Sequence, residues 1–99
     1  MDDEEIVDMA VAVAGRMAAA ARSRQISVKL STIVRYAYIA LRYRTVNLRR
    51  LRGLTARVRP PQRVLSRYVH DAVAEAVSRR LGAQVVWRRG RRYLVIRKV

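Results

Sequence analysis

The sequence predicts a mainly α-helical protein with a small β-hairpin near its C-terminal end, an α+β arrangement. Three observations carry this. Apolar residues recur at helical spacing in "EEIVDMAVAVAGRMAAAARSR" and again in "STIVRYAYIALRYR". A long helical stretch opens at Pro61 and closes at Gly82, the usual places for a proline and a glycine at helix ends. Finally, "VVWRRGRRYLVI", Val85 to Ile96, has two apolar strand-like runs on either side of a glycine.

With 99 residues the chain suits one domain over 1–99, built from an N-terminal helical part (1–24) and a core (31–97). In the first part, Asp2 or Asp3 can cap a helix whose first turn is acidic, which suits the positive end of the helix dipole. Past that turn the helix is apolar almost all round, with Val11, Val13, Met17 and the run Ala18 to Ala21. Such a helix needs cover on more than one side. The expectation is that a second copy supplies part of it, giving a homodimer through the N-terminal helix.

Ser31 reads as the cap of the second helix, in which Ile33, Tyr36, Ala37, Ala40 and Leu41 share a face. At that spacing Tyr36, Tyr38 and Tyr43 are better explained as core packing than as platforms for bases. A strand-like lead, Thr45 to Leu48, enters a short helix ending at Gly53. At 100° per residue, the long helix from Pro61 to Leu81 buries Val64, Leu65, Tyr68, Val69, Ala72 and Ala76. Val73 and Val77 fall towards its polar edge, so another element, the N-terminal helix, is expected to cover them. In the hairpin, an Arg89–Gly90 turn would set Trp87 opposite Arg92 and Val86 opposite Tyr93.

Charge is the strongest functional signal. There are 22 basic and 7 acidic residues, a net charge of +15, and beyond residue 8 the only acids are Asp71 and Glu75. A field of that size favours polyanions: DNA, RNA or an anionic membrane surface. All but Lys29 and Lys98 of the basic residues are arginine. With no cysteine and a single histidine, His70, there is no thiolate zinc site and no multi-histidine metal site within one chain. Paired carboxylates outside the acidic start and a glycine-rich phosphate loop are both missing. No enzymatic activity, cofactor or small-molecule ligand is therefore expected. The acidic start is the reverse of a secretory signal. The longest apolar run, interrupted by Gly15 and Arg16, is too short to span a bilayer. The chain reads as soluble and cytoplasmic, without a membrane partner.

The order "ALRYRTVNLRRLRGL", "PPQRVLSRYVHDAVAEAVSRRLG", "QVVWRRGRRYLVI" resembles the winged helix-turn-helix superfamily over Ser31 to Arg97, with an extra N-terminal helix. The turn "TARVRPP" is longer and more basic than the family's usual tight turn. The resemblance implies a DNA-binding protein, either a transcriptional regulator or a nucleoid-associated protein, with double-stranded DNA as partner. A recognition helix would offer Gln62, Arg63, Ser66, Arg67 and His70 to the major groove. The wing arginines, Arg88, Arg89, Arg91 and Arg92, would reach the flanking minor groove or its phosphates. Each phosphate neutralised adds about 0.9 to the salt slope, so four contribute about 3–4. Guarding the hairpin edge against strand pairing would need only one or two charges. Arg49, Arg50, Arg52, Arg57 and Arg59, around the short helix and turn, would grip the backbone without reading sequence. An RNA-binding or ribosome-associated protein and a protein-interaction module are the alternatives.

Overall fold

The computed structural model describes residues 1–98. In chain order the elements are α1 (Asp3–Ala20), β1 (Gln25–Lys29), α2 (Leu30–Tyr43), α3 (Leu48–Thr55), α4 (Arg67–Leu81), β2 (Gln84–Arg88) and β3 (Arg91–Arg97). The expected class holds: four helices and a small antiparallel sheet, with an N-terminal helix packed on the core.

α1 starts at a reciprocal cap. The Asp2 carboxylate accepts from Glu5 N at 2.8 Å, while Glu5 Oε1 accepts from Asp2 N at 3.1 Å, so two amides that the helix leaves unpaired find partners. The helix ends at Ala20, earlier than the apolar run implies. Ala21 is extended, and residues 21–24 link to β1. Cover for α1 comes from within the chain: α2 packs on one side and α4 on another. Ile6, Ala10, Val13 and Ala14 are fully buried between them. Ala12, Arg16, Ala19 and Ala20 stay exposed.

α1, α2 and α4 pack mutually, and α3 rests chiefly on α2 outside this trio. α3, "LRRLRGLT", buries one residue completely, Leu51, among Val13, Tyr36, Ile39 and Ala40. Full burial of such a side chain contributes about 1.5–3 kcal/mol. That anchor lets the arginines on either side of it face water. Asn47 caps the helix, its side-chain oxygen accepting from Arg50 N at 3.0 Å.

Several expectations need correction. Tyr43 is 42% exposed and not part of the core, and α3 runs past Gly53 to Thr55. The chain at Thr45–Asn47 is not a strand; the third strand is Gln25–Lys29, one helix earlier. In "QISVK", Ile26 and Val28 point to the core and Gln25 and Ser27 do not, an alternation too short to stand out beside the adjoining helices. Ser31 is not a cap. β1 feeds directly into α2, Lys29 holds the cap position without a side-chain bond, and the helix begins at Leu30. The long helix begins at Arg67 and not at Pro61. Residues 61–66 form turns closed by Val64 N to Pro61 O and Leu65 N to Gln62 O. Ser66 then caps α4 through its hydroxyl, which accepts from Val69 N at 3.3 Å. Lastly, Tyr68 is 71% exposed. The buried stripe of α4 is Val69, Val73, Ala76 and Val77, rotated away from Tyr68 because α1 lies against Val73 and Val77, the cover the sequence called for.

The sheet order is β1-β3-β2, antiparallel throughout. Ile26, Val28, Leu94 and Ile96 form its inner face over the helices. The hairpin register is the expected one, with Trp87 opposite Arg92 and Val86 opposite Tyr93. Arg89 and Gly90 both have positive φ, 54° and 77°. This is the turn whose twist matches that of the two strands. Gly90 takes the left-handed conformation without steric cost; Arg89 does so against a Cβ penalty.

Candidate nucleic-acid interface

The hairpin and the start of α4 adjoin. Arg92 on β3 forms an ion pair with Asp71 of α4, Nη1 to Oδ1 at 2.7 Å. Leu30, Ser31 and His70 line a shallow cavity together with Arg91 and Arg92. The cavity has a volume of about 260 Å³. The start of α4 therefore adjoins the tip end of the hairpin, at Arg91 and Arg92.

The wing arginines do not act alike. Arg88, Arg89 and Arg91 are exposed and have no carboxylate partner among the described residues. Arg88 lies over the Tyr93 ring, 5.6 Å from its centroid. Arg92 is held instead: its guanidinium stands 5.7 Å from the Trp87 ring centroid and forms an ion pair with Asp71. Its side chain is only 20% exposed. The pair is short and shielded from water on the Arg92 side, while the Asp71 side chain is 54% exposed, so it contributes more than a fully exposed pair but less than a buried one.

The five residues expected on a recognition helix divide. Gln62 and Arg63 sit on the turns ahead of α4, both exposed, and Arg63 Nη2 donates to Met1 O at 3.3 Å. Ser66 is the helix cap, so its hydroxyl already serves the backbone. His70 is half-buried, its Nδ1 lying 2.9 Å from Ser66 O. The carbonyl can only accept, so that contact requires the proton on Nδ1. Arg67 alone is both helical and fully open; its distance to Asp71 Oδ2 is 4.0 Å, with the side chain 91% exposed. At that distance and exposure the pair contributes little. Tyr68, beside it, is an exposed residue that sequence periodicity had assigned to the core.

A second basic area lies around α3. Arg49, Arg50 and Arg52 project from the helix and Arg57 and Arg59 from the loop after it, all exposed. Arg57 and Arg59 share a concavity of about 170 Å³ with Arg35, Thr55, Ala56, Val58 and Pro60. Arg35, one turn into α2, was not singled out in the sequence because its neighbours there are apolar. The fold brings it to the loop.

Among the described residues, no three histidine, cysteine or acidic side chains gather as a metal-holding group. No helix among them is long and apolar enough to cross a membrane. The chain matches no known protein-family model, no curated protein and no solved structure. The geometry by itself defines the class: a small, mostly helical module with a C-terminal wing, winged-helix-like in general topology and compatible with macromolecular contacts.

Proposed function

We propose that this protein binds double-stranded DNA as a member of the winged-helix group, acting at the nucleoid as a transcriptional regulator or a chromosome-coating protein and not as an enzyme. The observation that carries this reading is the Asp71–Arg92 tie. It holds the hairpin against α4, so that Arg67, Arg88, Arg89 and Arg91 belong to adjoining elements on a chain of net charge +15. Four exposed guanidiniums so placed repel one another, and an array of phosphates relieves that repulsion. Arg67, exposed on the first turn of α4, would be the residue to reach a base edge in the major groove, since a guanidinium forks onto guanine O6 and N7. The hairpin arginines and those of α3 and its loop take phosphates.

With Arg92 occupied by Asp71, the hairpin accounts for about 3 units of salt slope, from three free arginines at about 0.9 each. Selection from a random duplex pool, with structured RNA as competitor, tests the proposal. Retained duplex with one enriched sequence supports a regulator, and retained duplex without enrichment supports a coating protein. Displacement by the RNA overturns the DNA reading in favour of an RNA-binding protein; failure to hold either nucleic acid at physiological salt favours a protein-interaction module. A homodimer through the exposed α1 residues Ala12, Arg16 and Ala19 would present two wings to two half-sites, and sedimentation of the free protein checks it.

A further inference from the structure

The most exposed aromatic side chains, Tyr68 at 71% and Trp87 at 67%, both lie on the elements just described, α4 and β2. Trp87 belongs to the inner face of the sheet, the face that carries Leu94 and Ile96 into the core. Those two are covered by helices. Trp87 sits nearer the tip, beyond that cover, so a large flat apolar surface remains in water. Arg92 occupies one side of the indole and is itself held by Asp71. The ring is thus braced by a positioned cation while most of its surface stays open. Arg88 and Arg89 follow it in the chain, and Arg91 lies across the turn.

Phosphate binding needs none of this, since arginines alone suffice. Cross-strand packing in the hairpin also leaves it unexplained, because a ring serving that purpose is covered by its neighbours and not two-thirds exposed. Of the wing arginines, Arg92 shares the face of Trp87, whereas Arg88 and Arg91 start from the opposite face of the hairpin and Arg88 lies over Tyr93. An open aromatic ring with one guanidinium over it fits a nucleobase. Bases stack on aromatic rings whatever their identity, and the arginines at the tip, on both faces of the hairpin, are within reach of the phosphates that flank a stacked base. An intact duplex keeps its base faces stacked inside, and exposing one costs least at an end or where a base is unpaired. We propose that Trp87 stacks on an unpaired base, so that the preferred substrate of this surface is duplex DNA carrying an unpaired nucleotide beside the paired region. This deepens the duplex-binding reading and rests on it.

Trp87 is the only tryptophan in the chain, so its emission reports the contact directly. The whole protein is titrated with a blunt duplex and with the same duplex carrying a short unpaired tail. Affinity is read from the anisotropy of labelled DNA and stacking from tryptophan quenching. The tailed duplex is expected to bind about tenfold more tightly, the worth of stacking one base, and to quench Trp87 strongly where the blunt duplex does not. W87F should keep most of the preference and W87V should lose it, with circular dichroism verifying the fold of each. Equal affinity for tailed and blunt DNA, quenching that is the same for both, or a W87V protein that keeps the preference overturns the proposal. If W87V fails to fold, the two wild-type readouts decide alone. Binding of blunt duplex without a tail preference removes only the role of Trp87, whereas binding of neither DNA removes the duplex reading beneath it.

Discussion

At the start of the chain, Asp2 and Glu5 use their charge on the helix that follows, each accepting a bond from the other's amide. Asp8, further along α1, pairs with Arg80 of α4 at 3.0 Å. At the hairpin tip, Arg88, Arg89 and Arg91 stand together with no carboxylate partner among the described residues, and Arg89 adopts a backbone conformation that an L-residue reaches only against a penalty. The first set of charges stabilises the fold. The second opposes it, through mutual repulsion and backbone strain. In the proposed function these charges serve a contact outside the fold, since a polyanion would turn their repulsion into attraction.

The largest test of that contrast is reversal of the tip. Changing Arg88, Arg89 and Arg91 together to Glu should lower duplex affinity on the order of a hundredfold and reduce the salt slope by about 3. Filter binding across a salt series measures both; an unchanged slope would remove the hairpin from the interface. The mirror experiment is at the other end. Asp2→Ala should lower stability by about 1 kcal/mol through loss of the cap, read by urea unfolding, with little change in duplex affinity.

Arg92 belongs spatially to the tip but behaves like the N-terminal charges, because Asp71 holds it. Asp71→Asn should free it, raising the salt slope by about 1. No rise would mean that Arg92 is kept in place by Trp87 alone. The smallest effect is expected at Arg89. Asparagine tolerates the left-handed conformation and makes the preferred Asn-Gly turn. Arg89→Asn should therefore raise stability by up to about 1 kcal/mol while weakening duplex binding a few-fold. A variant that loses stability would show that the arginine is there for the turn and not for a ligand.

Much of the hairpin and of the helix ends was legible in the residues themselves. Gly90 after Arg89 specifies a two-residue turn, and alternation then pairs Trp87 with Arg92. Gly82 closes α4 in the left-handed conformation at φ 67°. The acids before α1 announce its start. The candidate surface was half legible: the exposed arginines could be named, but their differences could not. Gln62 and Arg63 looked helical because Pro61 is a good first helical residue, yet Ser66 is the better cap and the helix waits for it. Thr45 to Leu48 looked like a strand because the pairing partner of a strand is invisible locally, and β3 pairs instead with Gln25–Lys29.

What the sequence determined by itself is the set of properties that depend on neighbours in the chain: the sign and size of the charge, the turn type, the hairpin register and the stop at Gly82. These follow from backbone stereochemistry and period-two alternation, which act over a few residues. What only the tertiary structure decided is which side of α4 faces inward, which strand completes the sheet, and which arginine is already taken. α1 lies against Val73 and Val77 and turns Tyr68 out to water, and Asp71 meets Arg92 across 21 positions of chain. Packing partners and ion pairs are chosen by distances between remote segments, and no local pattern encodes those distances.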